Sequence, residues 1–378
     1  MAKVINVRIT PVRLPLKRPM VASAMTFRHR DFLLVELECD DGSRGIGFSY
    51  IGTGGARAAA IAANELLVPV LMGGEADDIG ALWDTMYRAV LLQGRAGLVM
   101  NGISAIDIAL WDLKGKSLGM PVYRLIGGPT QKTMPAYASM LGYATTDMGL
   151  VRERAIEMKE RGFRAQKWFF RHGPMSGPEG FKLNVDLART LRETLGPDDD
   201  IMLDAWQSWD YNYAVKMCTR LEEYEPRWLE EVGMADRIDT YRRVKESTTI
   251  PISGVEHEYT RWGFKRFIDA GALDVLQPDI YWAGGITETV KIASYASVHD
   301  LQCIPHGHSS QANAHFSCAM VPTLTPIQEY LVKWNAVHQF FLQDPIVPRD
   351  GVIHVSLEPG MGMELDGDKI ESEELLEF

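Results

Sequence analysis

Eight short apolar runs, each of strand length, alternate with helical patterns after residue 130. The runs cover residues 134–139, 164–170, 201–206, 227–231, 251–256, 275–279, 302–306 and 327–331. Repeated strand–helix units of this size predict a closed (β/α)₈ barrel, because parallel strands need a crossover helix between them. A doubly wound open sheet is the alternative, but no Gly-x-Gly-x-x-Gly or P-loop motif accompanies it.

Residues 1–128 show a different pattern. A run at 4–12 alternates loosely, and a β-rich run at 32–39 leads through Asp40-Asp41-Gly42 into a second run at 44–48. An Asp-Gly turn between two such runs predicts a hairpin. Helical periodicity then extends from about residue 56 to residue 125, which indicates a separate α+β domain.

Gly127-Gly128-Pro129 separates the two patterns and marks the predicted domain boundary. We therefore expect an α+β domain over 1–128, a barrel over 129–340, and a C-terminal segment over 341–378. That segment has a strand-like run at 352–356 and is expected to pack back against the first domain.

Polar side chains recur near the ends of the apolar runs, at an interval that fits one strand–helix unit. They are Asp204, Glu230, Glu256, Asp279, His306 and Glu329, separated by 26, 26, 23, 27 and 23 residues. Side chains at this spacing should stand at one height near the C-terminal mouth of the barrel, where barrel active sites are assembled.

The first three acids predict a metal site. Carboxylates held at one height repel each other strongly unless a cation lies between them. Oxygen ligands suit a hard ion, so Mg²⁺ is expected first and Mn²⁺ second. Zinc is a poor fit, since no Cys pair or His-Glu-x-x-His motif is present.

Asp279 and His306 lie on the next two strands and form a plausible acid–base pair. An aspartate beside an imidazole fixes the orientation of the ring and raises its basicity. His306 is therefore a candidate general base, with a buried structural histidine as the alternative. His308 and His315 are expected in loops or on the surface.

The text around these positions resembles the enolase superfamily, and within it the mandelate racemase-like group of acid-sugar dehydratases. The matching stretches are MLDAWQSWDYNYA around Asp204, RWLEE around Glu230, SGVEHEYT around Glu256, LQPDIYWAGG around Asp279, IPHGHSS around His306 and SAIDIALWDLKGKSLGMPVYRLIGG at 104–128. The resemblance covers almost the whole chain. It implies a modified (β/α)₇β-type barrel with an N-terminal α+β capping domain.

The resemblance also implies roles for the residues in series. Mg²⁺ is held by Asp204, Glu230 and Glu256, where Glu230 is taken over Glu231 because it keeps the 26-residue interval. His306, paired with Asp279, removes the proton α to a carboxylate. Glu329 hydrogen-bonds that carboxylate as it becomes an enediolate.

Substrate contacts are implied less directly. Capping segments at 20–30 and 50–55 are expected to form loops that close over the mouth and choose the substrate, with Arg28 and His29 as candidates. His257, directly after a metal ligand, is expected either to touch the substrate or to support the ligand. Trp168 is included among the expected substrate contacts.

The second barrel strand departs from the racemase pattern of Lys-x-Lys, because it reads Lys167-Trp168-Phe169. Residues i and i+2 of a strand point the same way, so Lys167 and Phe169 should both face inward. Lys167 matches the first lysine and is expected near the substrate carboxylate or paired with a ligand acid. With phenylalanine at the second base position, dehydration is favoured over racemisation, which needs a base on each face.

The expected activity is therefore Mg²⁺-dependent dehydration of a mono-carboxylate sugar acid, such as L-rhamnonate or a stereochemical relative, to a 2-keto-3-deoxy acid. The alternatives are an epimerase or cycloisomerase on the same site, and a barrel that binds a sugar acid without turnover. By resemblance, a homo-oligomer is expected.

Composition limits the partners and the compartment. The formal net charge is -11, which disfavours nucleic acid. The alanine-rich stretch at 56–74 is interrupted by charges, so no membrane span is expected, and the N-terminus lacks a signal-peptide core. Four scattered cysteines fit a reducing compartment, so we expect a cytoplasmic protein.

Overall fold

A computed structural model describes residues 2–22 and 25–372. The first domain begins with an antiparallel sheet of strands β1 (Val4–Ala22), β2 (Met25–Cys39) and β3 (Arg44–Gly52), in that order. The predicted hairpin is β2–β3, and its turn is held by Asp41 Oδ1, which accepts a hydrogen bond from the Ser43 backbone N–H at 2.9 Å.

In the described part of this domain, five helices follow the sheet. They are α1 (Ala56–Leu66), α2 (Val68–Leu71), α3 (Ile79–Ala89), α4 (Leu98–Ser117) and α5 (Val122–Ile126). The central helix α4 is buried on nearly every side and lies directly on β3. Gly47 permits this approach, since a Cβ there would lie 2.1 Å from the Ala105 carbonyl oxygen.

The second domain is built on eight parallel strands. They are β4 (Thr133–Ser139), β5 (Ala165–Phe169), β6 (Asp200–Asp204), β7 (Trp228–Glu230), β8 (Ile252–Gly254), β9 (Val275–Leu276), β10 (Gln302–Cys303) and β11 (Gln328–Leu331). Each pairs with the next from β4 to β10, and β11 pairs with β4. The eight predicted runs and the barrel fold with a capping domain are confirmed.

Helices separate the strands and cover the outside of the barrel. They are α6 (Met148–Glu160), α7 (Gly177–Leu195), α8 (Tyr211–Leu221), α9 (Ile238–Lys245), α10 (Thr260–Asp269), α11 (Ile280–Ala283), α12 (Gly285–Ser297), α13 (Ser310–Ala319) and α14 (Asn335–His338). Seven strand–helix units followed by β11 give the expected (β/α)₇β order.

The barrel interior is filled in layers. The lower layer is an apolar cluster of Tyr137, Ala165, Met202, Trp228, Val275, Ile304 and Ile327, all of them buried. Because side chains alternate along a strand, the next inward positions lie two residues further along, nearer the mouth. The intervening residues, such as Leu203 and Leu229, pack outward against the helices.

The segment after residue 340 contacts both domains. Its strand β12 (Val352–His354) pairs antiparallel with β4 of the barrel. Further along, Met361 N–H donates to Asp112 Oδ1 of α4 at 2.7 Å. The same carboxylate accepts Ile46 N–H from β3 at 2.9 Å, so Asp112 joins the first sheet to the end of the chain.

The segment at 20–30 is not the loop that the sequence suggested. Strand β1 continues to Ala22 and β2 begins at Met25, so most of this segment belongs to the arms of one long hairpin. Residues 23 and 24 lie outside the described part of the chain. Across residues 2–22 and 25–372, none of the helices combines the length and the apolar character needed to cross a membrane.

Candidate active site

A polar layer lies directly above the apolar one, at the C-terminal ends of the strands. Asp204 and Glu230 are the last residues of β6 and β7, and Glu256 follows β8 by two residues. Asp279 is the N-cap residue of α11, and Glu329 lies within β11. All five are buried, so the barrel concentrates acidic side chains where little water reaches them.

Lys167 lies at the centre of this layer and is fully buried. Its Nζ is 2.9 Å from Glu329 Oε1 and 3.4 Å from Asp204 Oδ2, and it also bonds to Glu230 Oε1. Burial opposes the charged amine, but Glu230 and Glu329 raise the pKa of Lys167 well above its ordinary value. Lys167 is therefore a cation that links three acids.

Glu329 is held from two sides. Its Oε2 accepts Gly307 N–H at 2.9 Å, and Lys167 binds its other oxygen. Burial alone would favour the neutral acid, but the charge of Lys167 lowers the pKa of Glu329 below its ordinary value. Glu329 is thus a carboxylate that accepts hydrogen bonds.

His306 and Asp279 form a close pair. Nδ1 of His306 is 2.8 Å from Asp279 Oδ2, and the other ring nitrogen, Nε2, is 2.9 Å from Glu256 Oε2 and 3.8 Å from Glu329 Oε2. Although burial opposes the imidazolium, Glu256, Glu329 and Asp279 raise the pKa of His306 well above its ordinary value. One ring nitrogen is therefore fixed by Asp279, and the other faces the acids of the polar layer.

The acids at the ends of β6, β7 and β8 influence one another strongly. Burial raises the pKa of Asp204 well above its ordinary value, and the charge of Glu230 raises it further against the effect of Lys167. Both oxygens of Glu230 already have donors, because Lys167 Nζ bonds to Oε1, while Trp228 Nε1 and Gln277 Nε2 bond to Oε2 at 3.0 and 2.8 Å.

Glu231, next to the predicted ligand Glu230, is also buried but contacts different residues. Its Oε1 is 3.2 Å from His257 Nδ1, and its Oε2 is buried with no hydrogen-bond partner among the described residues. Ligand atoms of Glu231, Glu256 and His257 lie within 4.8 Å of one another. Among the described residues, Glu256 therefore belongs to a candidate ligand cluster with Glu231 and His257, and neither Asp204 nor Glu230 is part of that cluster.

The backbone beside these acids is strained. Trp206 and Gln207 follow Asp204 with φ of 44° and 59°, and Glu231 has φ of 48°. Val255, next to Glu256, has φ of 69°, which is rare for a β-branched residue. Strain of this kind persists only where the surrounding structure enforces it, and it is concentrated at functional sites.

Phe169 faces the same way as Lys167, as the strand period predicts. Its ring centroid lies 5.4 Å from Lys167 Nζ, and its backbone is in register with Asp204. The position where racemases carry a second lysine therefore holds a phenyl ring at the mouth of the barrel.

The predicted substrate contacts are dispersed. His257 is half-buried beside Glu231 and stacks near Trp282, with ring centroids 5.3 Å apart. Trp168 is fully buried among the outer helices, and its Nε1 donates to Gln166 Oε1 at 3.1 Å. Expecting Trp168 to touch substrate was wrong, because neighbours of an inward residue point out of the barrel.

On the capping strand β2, the arginine that packs against the barrel is not one of the two expected residues, Arg28 and His29. Arg28 is exposed, and His29 Nε2 lies 3.7 Å from Asp31 Oδ1 on the sheet. Arg30 is the buried one, with its guanidinium carbon 4.3 Å from the centroid of Trp334, which follows β11. Arg30 also donates to the hydroxyl of Tyr50 on β3.

His308 lies in the loop between β10 and α13, as expected, but it is buried. His315 is also buried and lies within α13, so expecting it in a loop or on the surface was wrong. His315 accepts Tyr123 N–H at 3.2 Å, between α13 and α5. His308 bonds to Asp279 and packs against Tyr50, with ring centroids 4.6 Å apart. A histidine two residues after His306 was the available sequence signal for this contact.

Two family profiles account for most of the chain. The N-terminal domain of mandelate racemase / muconate lactonizing enzyme matches residues 4–127, and the enolase C-terminal domain-like family matches residues 150–369. The chain belongs to the enolase superfamily. These two matches coincide with the capping domain and with most of the barrel.

Individual members of the enolase superfamily are similar over most of their length. L-rhamnonate dehydratase of Saccharopolyspora erythraea is 37% identical over 343 residues, which are 88% of this chain and 83% of that protein. D-galactarolactone cycloisomerase of Agrobacterium fabrum is 32% identical and spans 97% of this chain and 98% of that protein. A similar solved structure is that of L-talarate dehydratase from Polaromonas sp. JS666, complexed with Mg and L-glucarate. Its TM-score is 0.88 at 29% sequence identity, and the match covers 97% of this chain and 96% of that chain.

The residues at the mouth fit the Mg²⁺ that enolase-superfamily enzymes use. Asp204, Glu230, Glu231 and Glu256 supply only oxygen atoms, which is the donor set of a hard cation. Within the described residues, Lys167 is the one lysine or arginine that pairs with any of these four acids. The raised pKa of Asp204 and the unpartnered Glu231 oxygen both indicate negative charge that a divalent cation would balance.

Proposed function

We propose that this enzyme is a Mg²⁺-dependent dehydratase of a mono-carboxylate sugar acid, L-rhamnonate or a close relative. The observation that carries the proposal is the His306–Asp279 pair, at 2.8 Å, in a layer where position 169 is phenylalanine. One base on one face suits elimination, whereas epimerisation needs a proton donor or acceptor on each face.

The proposed reaction begins at His306 Nε2, which takes the proton from the carbon α to the substrate carboxylate. The C–H electron pair forms an enediolate, and its collapse expels the β-hydroxyl. The imidazolium of His306 gives its proton to that hydroxyl, so water leaves and the base is restored. The enol product then tautomerises to a 2-keto-3-deoxy acid.

Asp204, Glu230 and Glu256 are the proposed Mg²⁺ ligands, with Glu231 as the competing candidate beside Glu256. When bound, Mg²⁺ supplies Lewis-acid stabilisation of the charge that develops on the substrate carboxylate. Lys167 and Glu329 are proposed to face the same carboxylate, the lysine as a cation and the glutamate as a hydrogen-bond donor, for which Glu329 must first take up a proton. Lys167 also holds Glu230 and Asp204 in place.

The test is a screen of sugar acids with Mg²⁺, in which 2-keto-3-deoxy products are detected. The library should contain aldonates, aldarates and aldarolactones. We expect turnover of L-rhamnonate or a stereochemical relative, lost on addition of EDTA and restored by Mg²⁺. Full activity in EDTA, or no turnover of any aldonate, would contradict the proposal.

A cycloisomerase is the second candidate, because the similar D-galactarolactone cycloisomerase matches nearly the full length of both chains. Opening a lactone by elimination also begins with loss of an α-proton, so the same single base would serve. Turnover of an aldarolactone but of no open-chain aldonate in that screen would decide for this candidate.

We also propose a cytoplasmic homo-oligomer. All four cysteines, Cys39, Cys218, Cys303 and Cys318, are free and buried, which suits a reducing compartment. Light scattering coupled to size exclusion would give the mass in solution for comparison with the 42.3 kDa chain.

A further inference from the structure

Asp279 is hydrogen-bonded to two histidines, His306 and His308, although the proposed reaction uses only His306. His308 Nδ1 lies 2.6 Å from Asp279 Oδ2, the same oxygen that lies 2.8 Å from His306 Nδ1. The other oxygen, Oδ1, accepts Tyr281 N–H at 2.8 Å. Three neighbours thus converge on one buried carboxylate.

The chemistry of the carboxylate fixes the tautomers of both rings. An ionised carboxylate can only accept hydrogen bonds, so both Nδ1 atoms must carry protons. The pKa of Asp279 is lowered despite its burial, because His308 and His306 stabilise the charge, and the carboxylate is therefore ionised. With its proton on Nδ1, a neutral His306 keeps a lone pair on Nε2, which faces the polar layer.

His308 is well placed to hold Asp279 still. Its ring is enclosed by Tyr50 at 4.6 Å, His338 at 4.7 Å and Trp282 at 5.0 Å between centroids. Tyr50 belongs to capping strand β3, and its hydroxyl is bonded by Arg30. The orientation of His308 is therefore set by aromatic packing from both domains.

We propose that His308 is a positioning residue: its Nδ1–H holds Asp279 Oδ2 where that oxygen orients His306. The inference rests on the proposed role of His306 as the base. The ring of His308 also lies edge-on to the ring of His306, with centroids 4.2 Å apart, so it contacts the proposed base directly as well as through Asp279. Burial and the nearby His306 lower the pKa of His308, so the ring donates its hydrogen bond as a neutral imidazole.

Two variants of similar size separate the hydrogen bond from the packing. In His308→Asn, the side-chain N–H is attached to Cγ, as Nδ1 is in histidine, so the bond to Asp279 is preserved. In His308→Leu, the volume is kept and the donor is lost. His315→Leu is the matched control, since His315 is also buried but its Nδ1 accepts the Tyr123 N–H of α5 and does not bond to Asp279.

We expect His308→Leu to lower kcat on the order of 10- to 100-fold, while KM and Mg²⁺ affinity stay near wild type. His308→Asn should keep most of the wild-type kcat. The proposal is overturned if both variants lose activity equally, if His308→Leu matches wild type, or if KM or Mg²⁺ affinity changes in place of kcat. A loss in the His315→Leu control equal to that in His308→Leu would likewise overturn it.

A second measurement does not depend on turnover. Imidazole nitrogen NMR on the Mg²⁺-loaded, histidine-labelled enzyme should show two rings protonated at Nδ1 that disappear with His306→Asn and His308→Asn respectively. Finding His308 protonated at Nε2 alone would contradict the inference. If no sugar acid is turned over but both Nδ1 protons are found, the proposed function fails and this positioning contact stands.

Discussion

The two layers inside the barrel come from the same strands and differ in almost every property. Met202 and Trp228 belong to the lower, apolar layer, whereas Asp204 and Glu230 lie two residues further along the same two strands. A single step of the strand period therefore separates residues that hold the barrel together from residues that carry charge. The comparison predicts that substitutions only two residues apart change stability in one layer and chemistry in the other.

The largest effect should come from the base in the polar layer. His306→Asn keeps a polar side chain but no nitrogen that can take up a proton, so kcat should fall by about 10²- to 10⁴-fold or below detection. Solvent deuterium exchange at the α-carbon should stop as well, while Mg²⁺ binding and the thermal midpoint stay near wild type. Exchange at the wild-type rate would identify another group as the base.

The next effect distinguishes two adjacent acids. Glu230→Gln should abolish turnover and weaken Mg²⁺ binding measured by calorimetry, because a ligand charge is lost. Glu231→Gln should have a smaller effect, about 10- to 100-fold in Mg²⁺ affinity, through its contact with His257. The reverse order would make Glu231 the ligand, as its grouping with Glu256 allows.

In the apolar layer, a substitution should affect stability and spare chemistry. Met202 is fully buried, and Met202→Ala should lower the free energy of unfolding by about 2–5 kcal/mol because it leaves a cavity. Denaturant unfolding would measure this loss. At a temperature where the variant is folded, kcat should stay close to wild type; a loss as large as that in Glu230→Gln would mean that the layers are coupled.

The smallest effect is expected at Phe169. A phenyl ring neither gives nor takes a proton, so Phe169→Leu should change kcat little. In D₂O, substrate recovered at partial conversion should contain none of the α-epimer. Appearance of that epimer would show a base on the opposite face, and Lys167→Met would then test whether the lysine supplies it.

The barrel was predictable because its strands recur at a regular interval and their side chains alternate in direction. Strand length, a strand–helix interval of 23–27 residues and the strand period together placed Lys167, Asp204 and His306 in one layer. Trp168 was misassigned only because the same period was not applied to it. The metal ligands, the base and Glu329 remain predictions in their roles, although the fold brings their side chains together.

The capping domain was less predictable because its register is irregular. The pairing of β1 with β2 shifts between Pro15 and Met20, and that of β2 with β3 shifts between Asp31 and Phe32. A bulge changes which face a side chain meets, so simple alternation could not identify Arg30 as the buried arginine. The burial of His308 likewise depends on Tyr50, which is distant in sequence.

The Asp112 junction has a consequence for how this chain can diverge. Its carboxylate accepts backbone N–H groups from positions 46 and 361, so the bonds do not depend on which side chains stand there. Gly360 is different, because a Cβ there would lie 2.3 Å from Asp112 Oδ1. Among descendants of this sequence, we expect the aspartate and the glycine to be inherited together, while the residues at 46 and 361 drift among apolar types.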